Sequence, residues 1–273
     1  MSRRILNIRP VQQAEELSGA LRKLGMQPLT VPMLETVRVS KREQLVVLER
    51  IRCADQASRL VFTSANGVRY FIDCLDNDER LLDKVREMRC AVIGEKTAVA
   101  AGQAGLRVEF VSTVSNSEAL AEELADHCAA SQDTVHDLIL LRARIASEKL
   151  PQQLAAKGIS STSLPVYDSR CPNYTRDESL DLALRFTAAH PEAIDCIAAT
   201  SSQALINLVG VLESSDAALE NSWHEQFAAI PVAVIGPKTA QTASMLGMNL
   251  AIVAQQASVE TLAESIHSFF AGA

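Results

Sequence analysis

Mostly apolar runs alternate with amphipathic segments along this chain. Ile5–Ile8 and Ala91–Ile93 are runs of this kind, and a segment with Val68, Phe71 and Leu75 on one helical face follows another run. Continuous apolar runs are typical of parallel strands that are buried on both faces, and spacings of three and four residues indicate amphipathic helices. The pattern therefore predicts an α/β fold in which helices cover parallel sheets.

The pattern occurs twice. The octapeptide Ala91–Ala98 (AVIGEKTA) returns as Ala233–Ala240 (AVIGPKTA), and a glycine follows each copy at the same distance, at Gly105 and Gly247. In both copies an apolar run turns on glycine into a helical pattern, and α/β proteins bind ligands at such turns. The repeat predicts two similar halves, each with enough strands for one five-stranded sheet.

The repeat leaves open how the two halves are assembled. Residues 5–32 and 138–165 form the first strand–helix–strand segment of each half. Either each segment packs with the rest of its own half, which gives tandem domains, or it packs with the rest of the other half. The second arrangement makes one domain continuous and the other split. The hydrophobic pattern is compatible with both.

Composition narrows the class of protein. The 273 residues suit two domains of ordinary size, and 48% hydrophobic residues with only 4% aromatics indicate aliphatic cores. The net charge is −7 and no block of basic residues is present, which argues against nucleic acid as a partner. Six scattered cysteines without a C-x-x-C pair, and no histidine at metal spacing, favour reduced thiols and predict neither a metal nor a cofactor.

Targeting signals are not apparent. The apolar start at Ile5–Ile8 meets Arg9 and Pro10 at once, too soon for the core of a signal peptide. No apolar run approaches the ~18 residues of a membrane span. We therefore expect a cytoplasmic protein that does not enter a membrane.

Several short motifs carry a family resemblance through their order and spacing. They are Ile8-Arg9-Pro10, Phe62–Arg69 (FTSANGVR), the doubled Gly-x-Lys-Thr-Ala, and Val166-Tyr167 after Pro165. In this arrangement, from about Ile5 to Ile266, the chain resembles the uroporphyrinogen-III synthase family.

The resemblance implies a fold and selects one assembly of the halves. It implies a bilobal protein of two similar flavodoxin-like parallel-sheet domains joined by a two-stranded linker, one domain being discontinuous. The expected first domain is 1–35 with 171–273, and the expected second domain is 40–165. The expected linkers are about 36–39 and 166–170.

The resemblance also implies a reaction in tetrapyrrole (haem) biosynthesis. Hydroxymethylbilane, a linear tetrapyrrole, loses water and closes to uroporphyrinogen III with its ring D inverted. The bilane expels its own hydroxyl with electron push from a pyrrole nitrogen, so no strong protein nucleophile is required. The sequence has no G-x-S-x-G, Walker A, complete G-x-G-x-x-G or H-E-x-x-H motif. We expect the enzyme to act by orienting the substrate.

Eight substrate carboxylates must be held by a chain of negative charge. The turns at Ser64, Gly94, Ser201 and Gly236 are expected to present helix N-termini, which attract anions. The candidate substrate-binding residues are Ser64, Ser201, Thr97 and Thr239, which match family positions in the binding cleft, and Arg9, Lys96, Arg142 and Lys238 near strand ends. The alternative for the hydroxyl residues is helix capping alone, and for the two arginines a shared structural role.

Tyr167 is the candidate catalytic residue. The repeat places Leu34 at the corresponding position of the other half, so the tyrosine is a difference between duplicated scaffolds. The family's tyrosine at this position implies a hydrogen bond from its phenol to the departing hydroxyl. The alternative is a ring that only packs between domains.

Two functions from other classes remain compatible with the bare repeat. One is a non-catalytic, two-lobed binder of an anionic tetrapyrrole or other small molecule, and the other is a structural or partner-binding protein. For the enzyme, we expect a monomer that receives hydroxymethylbilane by transient hand-over from hydroxymethylbilane synthase.

Overall fold

The computed structural model describes residues 2–75, 78–112, 117–130, 137–214 and 222–272. It divides into two compact units: unit 1 comprises Met1–Glu35 and Arg170–Ala273, and unit 2 comprises Thr36–Ser169. Both units are α/β, with helices against a parallel sheet, so the predicted fold class is confirmed.

The elements follow the apolar and amphipathic pattern of the sequence. The strands are β1 (Arg4–Asn7), β2 (Gln27–Thr30), β3 (Glu35–Arg38), β4 (Ser58–Phe62), β5 (Arg89–Ile93), β6 (Arg107–Ser112), β7 (Asp137–Ala143), β8 (Ser161–Arg170), β9 (Cys196–Ala199), β10 (Pro231–Val234) and β11 (Asn249–Val253). The helices are α1 (Val11–Lys23), α2 (Lys41–Cys53), α3 (Ala65–Cys74), α4 (Glu79–Glu87), α5 (Glu95–Gln103), α6 (Ser117–Ala130), α7 (Lys149–Ala156), α8 (Arg176–Leu184), α9 (Ser202–Glu213), α10 (Ser222–Ala229), α11 (Pro237–Met245) and α12 (Val259–Ala271).

Unit 1 has a five-stranded sheet in the order β11-β10-β9-β1-β2 with parallel neighbours. The N-terminal strand β1 lies inside this sheet, where Leu6 is opposite Leu29 on one side and Ile197 on the other. Successive residues of β1 enter opposite cores: Ile5 packs in the cluster that includes helix α12, and Leu6 in the cluster that includes α9. The first segment of the chain therefore completes the sheet of the second half.

Unit 2 has a six-stranded sheet in the order β3-β8-β7-β4-β5-β6. Successive residues of β4 again enter the cores on opposite faces of the sheet. Leu60 and Phe62 pack with α2 to α5, and Val61 packs with α6 and α7. The segments 36–39 and 166–170, assigned to linkers from the sequence, lie mostly in β3 and at the end of β8, which are neighbours at one edge of this sheet.

The pairing of β7 with β8 contains one irregularity. Arg142 is opposite Pro165, but Ala143 is opposite Tyr167, so Val166 is an extra residue in β8. A regular strand would send Val166 and Tyr167 to opposite faces, whereas both join the same core cluster as Leu164. The irregularity therefore turns Tyr167 towards the face that α3 covers.

Within the described residues, no helix combines the length and apolarity needed to cross a membrane.

Candidate active site

The turn after β4 begins with a capped helix. Ser64 is extended, with φ −161°, and its Oγ accepts a hydrogen bond from the backbone N–H of Gly67 at 3.1 Å. The hydroxyl thereby satisfies one of the free N–H groups of the first turn of α3. Ser64 is therefore a helix cap, as the alternative interpretation predicted, but the capping hydrogen bond uses only one acceptor position of its oxygen.

Gly67 lets α3 begin directly against the sheet. A Cβ atom at this position would lie 2.9 Å from the carbonyl oxygen of Leu141 in β7. Because that oxygen belongs to an interior strand, only a residue without a side chain fits at this distance. The close approach fixes where Ser64 lies above the ends of the strands.

Ser64 also contacts the candidate catalytic tyrosine. Its Oγ lies 3.1 Å from the phenol oxygen of Tyr167, which is only 8% exposed, and either hydroxyl can be the donor. Since Ser64 already accepts from Gly67, its own proton is available for the phenol oxygen. Ser64 and Tyr167, which were predicted from the sequence for separate roles, are therefore hydrogen-bonded to each other.

Tyr70, which the sequence did not suggest, forms one wall of this site. Its ring stacks on the ring of Tyr167, with centroids 5.5 Å apart and planes 18° from parallel. Its hydroxyl donates to the backbone carbonyl of Thr36 in β3 at 2.5 Å. The only signal in the sequence was an aromatic residue beside the apolar face of α3.

The turn after β5 presents a second helix start in unit 2. Gly94 has φ +73°, a conformation that favours glycine, and α5 begins at the next residue. Thr97 is buried in the first turn, and its side chain has no hydrogen bond to any described residue. Lys96 is exposed beside it. Both candidate residues therefore lie in the first turn of α5.

Arg142 forms hydrogen bonds within the loop that follows β7. The buried guanidinium donates to the carbonyl of Ser147 at 2.8 Å and to Glu148 Oε1 at 2.6 Å. Its neighbour Arg144 pairs with Glu43 and Asp168. The hydrogen bond from Arg144, followed by that from the Ser40 side chain, lowers the pKa of Glu43 to about 2. These contacts favour the structural alternative for Arg142.

Two helix starts line one pocket in unit 1. The pocket, of about 450 Å³, lies where α9 and α11 begin, and it is lined by Thr200, Ser201, Ser202, Gln203, Ile206, Lys238 and Thr239. Ser201 precedes α9 but its side chain makes no capping hydrogen bond. Lys238 is exposed and has no ion-pair partner among the described residues. The structure therefore brings together Ser201, Lys238 and Thr239.

Side chains that the sequence did not suggest hold this pocket in shape. Ser202 Oγ donates to the carbonyl of Lys238 at 3.3 Å and accepts from Thr242 Oγ1 at 2.9 Å. These bonds tie the first turns of α9 and α11 together. With two positive helix ends and a lysine side by side, the pocket suits a carboxylate.

Arg9, the counterpart of Arg142, has donors to spare. Its Nη2 approaches Glu16 at 3.1 Å and Gln13 at 3.4 Å, and Asn7 accepts its backbone N–H. The residue is 8% exposed, and its Nε and Nη1 atoms are buried without a partner in the part of the chain that the structure describes. An unpaired buried donor costs about 1–3 kcal/mol, so a bound carboxylate that paired with it would recover that free energy.

A larger cavity, of about 490 Å³, lies in unit 2 at the amino ends of β4, β5 and β6. It is lined by residues including Asp55, Lys84, Glu87, Arg89 and Arg107. Lys84 is engaged there by the carbonyl of Arg52 at 2.7 Å. Parallel-sheet proteins usually bind ligands at the carboxyl ends of their strands, where the candidate residues at the helix starts lie. Among the described residues, no group of carboxylates, histidines and cysteines is arranged to hold a metal ion.

Comparisons with known proteins agree over most of the chain. Residues 15–264 match the family model described as uroporphyrinogen-III synthase HemD. The chain is 27% identical over 268 residues to the uroporphyrinogen-III synthase of Synechococcus elongatus, covering 97% of this chain and 94% of that protein. It is 24% identical over 267 residues to the porphyrin biosynthesis protein HemD of Ruminiclostridium josui, covering 96% of this chain and 48% of that protein.

Two solved structures share the fold. A mutant uroporphyrinogen III synthase from Thermus thermophilus superposes with a TM-score of 0.63 at 17% identity, covering all of both chains. The uroporphyrinogen-III synthetase from Helicobacter pylori gives a TM-score of 0.63 at 18% identity, covering 98% of this chain and all of the other. Of the candidate residues, only Arg9 lies outside the segment matched by the family model.

Proposed function

The chain belongs to the uroporphyrinogen-III synthase family, and from this premise we propose that it cyclises hydroxymethylbilane with loss of water to give uroporphyrinogen III. The observation that carries the proposal is the family match over residues 15–264. The hydrogen-bonded pair of Ser64 and Tyr167 supports it, because a phenol of this kind is a suitable hydrogen-bond donor for a reaction that expels a hydroxyl.

The substrate carboxylates are bound at helix starts in both units. In unit 1, the pocket with Ser201, Lys238 and Thr239 takes one carboxylate, and the spare donors of Arg9 take another. In unit 2, the start of α5 with Lys96 and Thr97 does the same. Backbone N–H groups and a few cations bind these anions locally, although the net charge of the chain is −7.

Tyr167 assists the departure of the hydroxyl. As the C–O bond breaks, the pyrrole nitrogen supplies electron density, and the phenol of Tyr167 donates a hydrogen bond to the oxygen that leaves as water. The carbon that bears a substituent on ring D then attacks, a spiro intermediate forms, and it fragments and recloses with the ring inverted. The ring carbon finally loses a proton, which balances the proton taken by the leaving hydroxyl.

The role of the protein is to select which carbon is attacked. Spontaneous closure uses the open carbon and gives the symmetric type I isomer, so the bound substrate must be folded to present the substituted carbon. Orientation of this kind is worth several kcal/mol. Tyr167 adds about two orders of magnitude to the rate, the low end of what a general acid contributes, and is not indispensable.

We also propose that the enzyme works as a cytoplasmic monomer and receives its unstable substrate by transient hand-over from hydroxymethylbilane synthase. The support is chemical, since free hydroxymethylbilane closes to the wrong isomer.

The deciding experiment is an isomer analysis. Purified protein is supplied with freshly made hydroxymethylbilane, and the uroporphyrinogens are separated after oxidation. We expect mostly type III at catalytic protein concentration. Only type I, from a folded protein whose melting temperature rises on adding a uroporphyrin, would refute the enzyme and support the non-catalytic binder.

A further inference from the structure

We propose that Ser64 is a positioning residue for Tyr167, and that it directs and strengthens the hydrogen bond of the phenol to the leaving hydroxyl. The proposal rests on the proposed function and assigns Ser64 a role other than direct substrate binding. Three observations carry it: the direction of the hydrogen bonds, the confinement of the tyrosine ring, and a comparison with the other half of the chain.

The direction of the hydrogen bonds follows from the donors and acceptors present. The N–H of Gly67 can only donate, so Ser64 Oγ accepts from it at 3.1 Å. Ser64 can then donate to the phenol oxygen of Tyr167, 3.1 Å away. That leaves the phenol proton for a third oxygen, that of the leaving hydroxyl. A hydroxyl that accepts one hydrogen bond donates a stronger one, so each step strengthens the next.

The start of α3 adds an electrostatic contribution. The phenol oxygen becomes more negative as its proton moves towards the leaving hydroxyl, and Ser64 connects this oxygen to the positive end of the helix. The contact with Ser64 is therefore stronger in the transition state than in the resting enzyme, which is the requirement for a group that raises the rate.

The ring of Tyr167 is held with its hydroxyl beside Ser64. The extra residue Val166 turns the tyrosine to this face of the sheet. The stacked ring of Tyr70, anchored through its own hydroxyl to Thr36, covers one side.

The other half of the chain separates this role from helix capping. Ser201 occupies the corresponding place before α9 and makes no capping hydrogen bond, so the fold does not require a cap there. In that half, the counterpart of Tyr167 is Leu34. Of the two serines, the one that makes a capping hydrogen bond is thus the one that has a phenol beside it.

The test is a double-mutant cycle with Ser64→Ala and Tyr167→Phe, measured as the rate of type III formation. We expect each single variant to lower kcat about tenfold or more with less than a twofold change in KM. The double variant should be no slower than Tyr167→Phe, because Ser64 acts only through the phenol. Ser64→Thr, which keeps the hydroxyl, should restore most of kcat.

A matched control removes a helix cap without touching the site. Ser258 precedes α12, and its hydroxyl accepts from the N–H of Thr261 at 3.1 Å, the same position and distance as in α3. Ser258→Ala should lower stability by about 1 kcal/mol and leave kcat unchanged. If Ser64→Ala behaves like Ser258→Ala, Ser64 is only a cap. If the effects of Ser64→Ala and Tyr167→Phe multiply, Ser64 acts independently of the phenol. Either result overturns the proposal.

A second measurement does not depend on turnover. In protein labelled at the tyrosine Cζ carbon, the resonance absent from Tyr167→Phe belongs to Tyr167. It should shift in Ser64→Ala, and Ser64→Thr should restore it. An unchanged resonance overturns the proposal even if the wild-type protein forms type III, whereas absence of type III with the expected shift refutes the proposed function alone.

Discussion

Gly67→Ala is the substitution for which the structure gives the most definite expectation. Gly67 lies in the first turn of α3, where alanine would ordinarily be favoured in a helix. Here the new Cβ would lie 2.9 Å from the carbonyl oxygen of Leu141, about 0.5 Å closer than ordinary van der Waals contact allows. The obstacle is the backbone of an interior strand, so α3 must move away from the sheet.

Two opposing contributions set the size of the effect. Alanine gains about 1 kcal/mol over glycine in helix propensity. Forcing an extra methyl group into a packed contact costs about 1–3 kcal/mol. We expect a net destabilisation of about 1 kcal/mol, or a melting temperature lower by about 3–4 °C.

Gly102→Ala is the matched control in the same unit. Gly102 lies in α5, and a Cβ atom there would meet nothing within 4 Å. It should therefore stabilise unit 2 by about 0.5–1 kcal/mol. Urea unfolding followed by far-UV circular dichroism should give opposite signs for the two variants. If Gly67→Ala is as stable as the wild type, the close approach of α3 to β7 is not the constraint inferred here.

Three further predictions concern single side chains. Arg9→Met should raise KM without loss of stability, because Arg9 has unpaired buried donors. Arg142→Met should lower the free energy of unfolding in urea by about 1–2 kcal/mol, because Arg142 loses its hydrogen bonds. A larger loss of stability in Arg9→Met than in Arg142→Met would contradict the contacts. The depressed pKa of Glu43 stabilises the fold above its unfolded value near 4.5, and this is lost as the pH falls through about 2. The loss of stability caused by Glu43→Gln should therefore shrink between about pH 5 and about pH 2, and a loss that stays constant over this range would refute the assignment. A thiol reagent at neutral pH should label exposed Cys53 in the native protein, but Cys90 only after unfolding, since burial raises the pKa of Cys90 to about 12; mass spectrometry of labelled peptides distinguishes the two.

Features set by local sequence were predictable. The doubled octapeptide encodes a buried strand, a turn and a helix start, and the structure has β5 with α5 and β10 with α11 at these places. The two glycines nevertheless differ, because Gly94 has φ +73° whereas Gly236 is extended at φ 179°. The two turns therefore lead into similar helices by different backbone paths, and only α11 has a proline at its first position.

Features set by tertiary contacts were not predictable. The extra residue in β8 depends on pairing with β7, so alternation within the strand could not show that Tyr167 turns towards Ser64. The different environments of the duplicated arginines depend on loop geometry, since Arg142 meets Glu148 only because its loop folds back.

The interior position of β1 has a consequence for synthesis of the chain on the ribosome. Unit 2 is continuous and can fold once residue 169 has emerged, whereas β1 lacks its second neighbour until β9 has been made. Folding of unit 2 makes β3 and β8 neighbours, and these strands carry Glu35 and Arg170, which pair at 2.9 Å. Residues 36–169 form a loop between the two parts of unit 1. Closing a loop of this length costs about 4 kcal/mol in chain entropy, and the earlier folding of unit 2 removes that cost from the folding of unit 1. A chain truncated near residue 170 should therefore keep a folded unit 2 and an unfolded N-terminal segment.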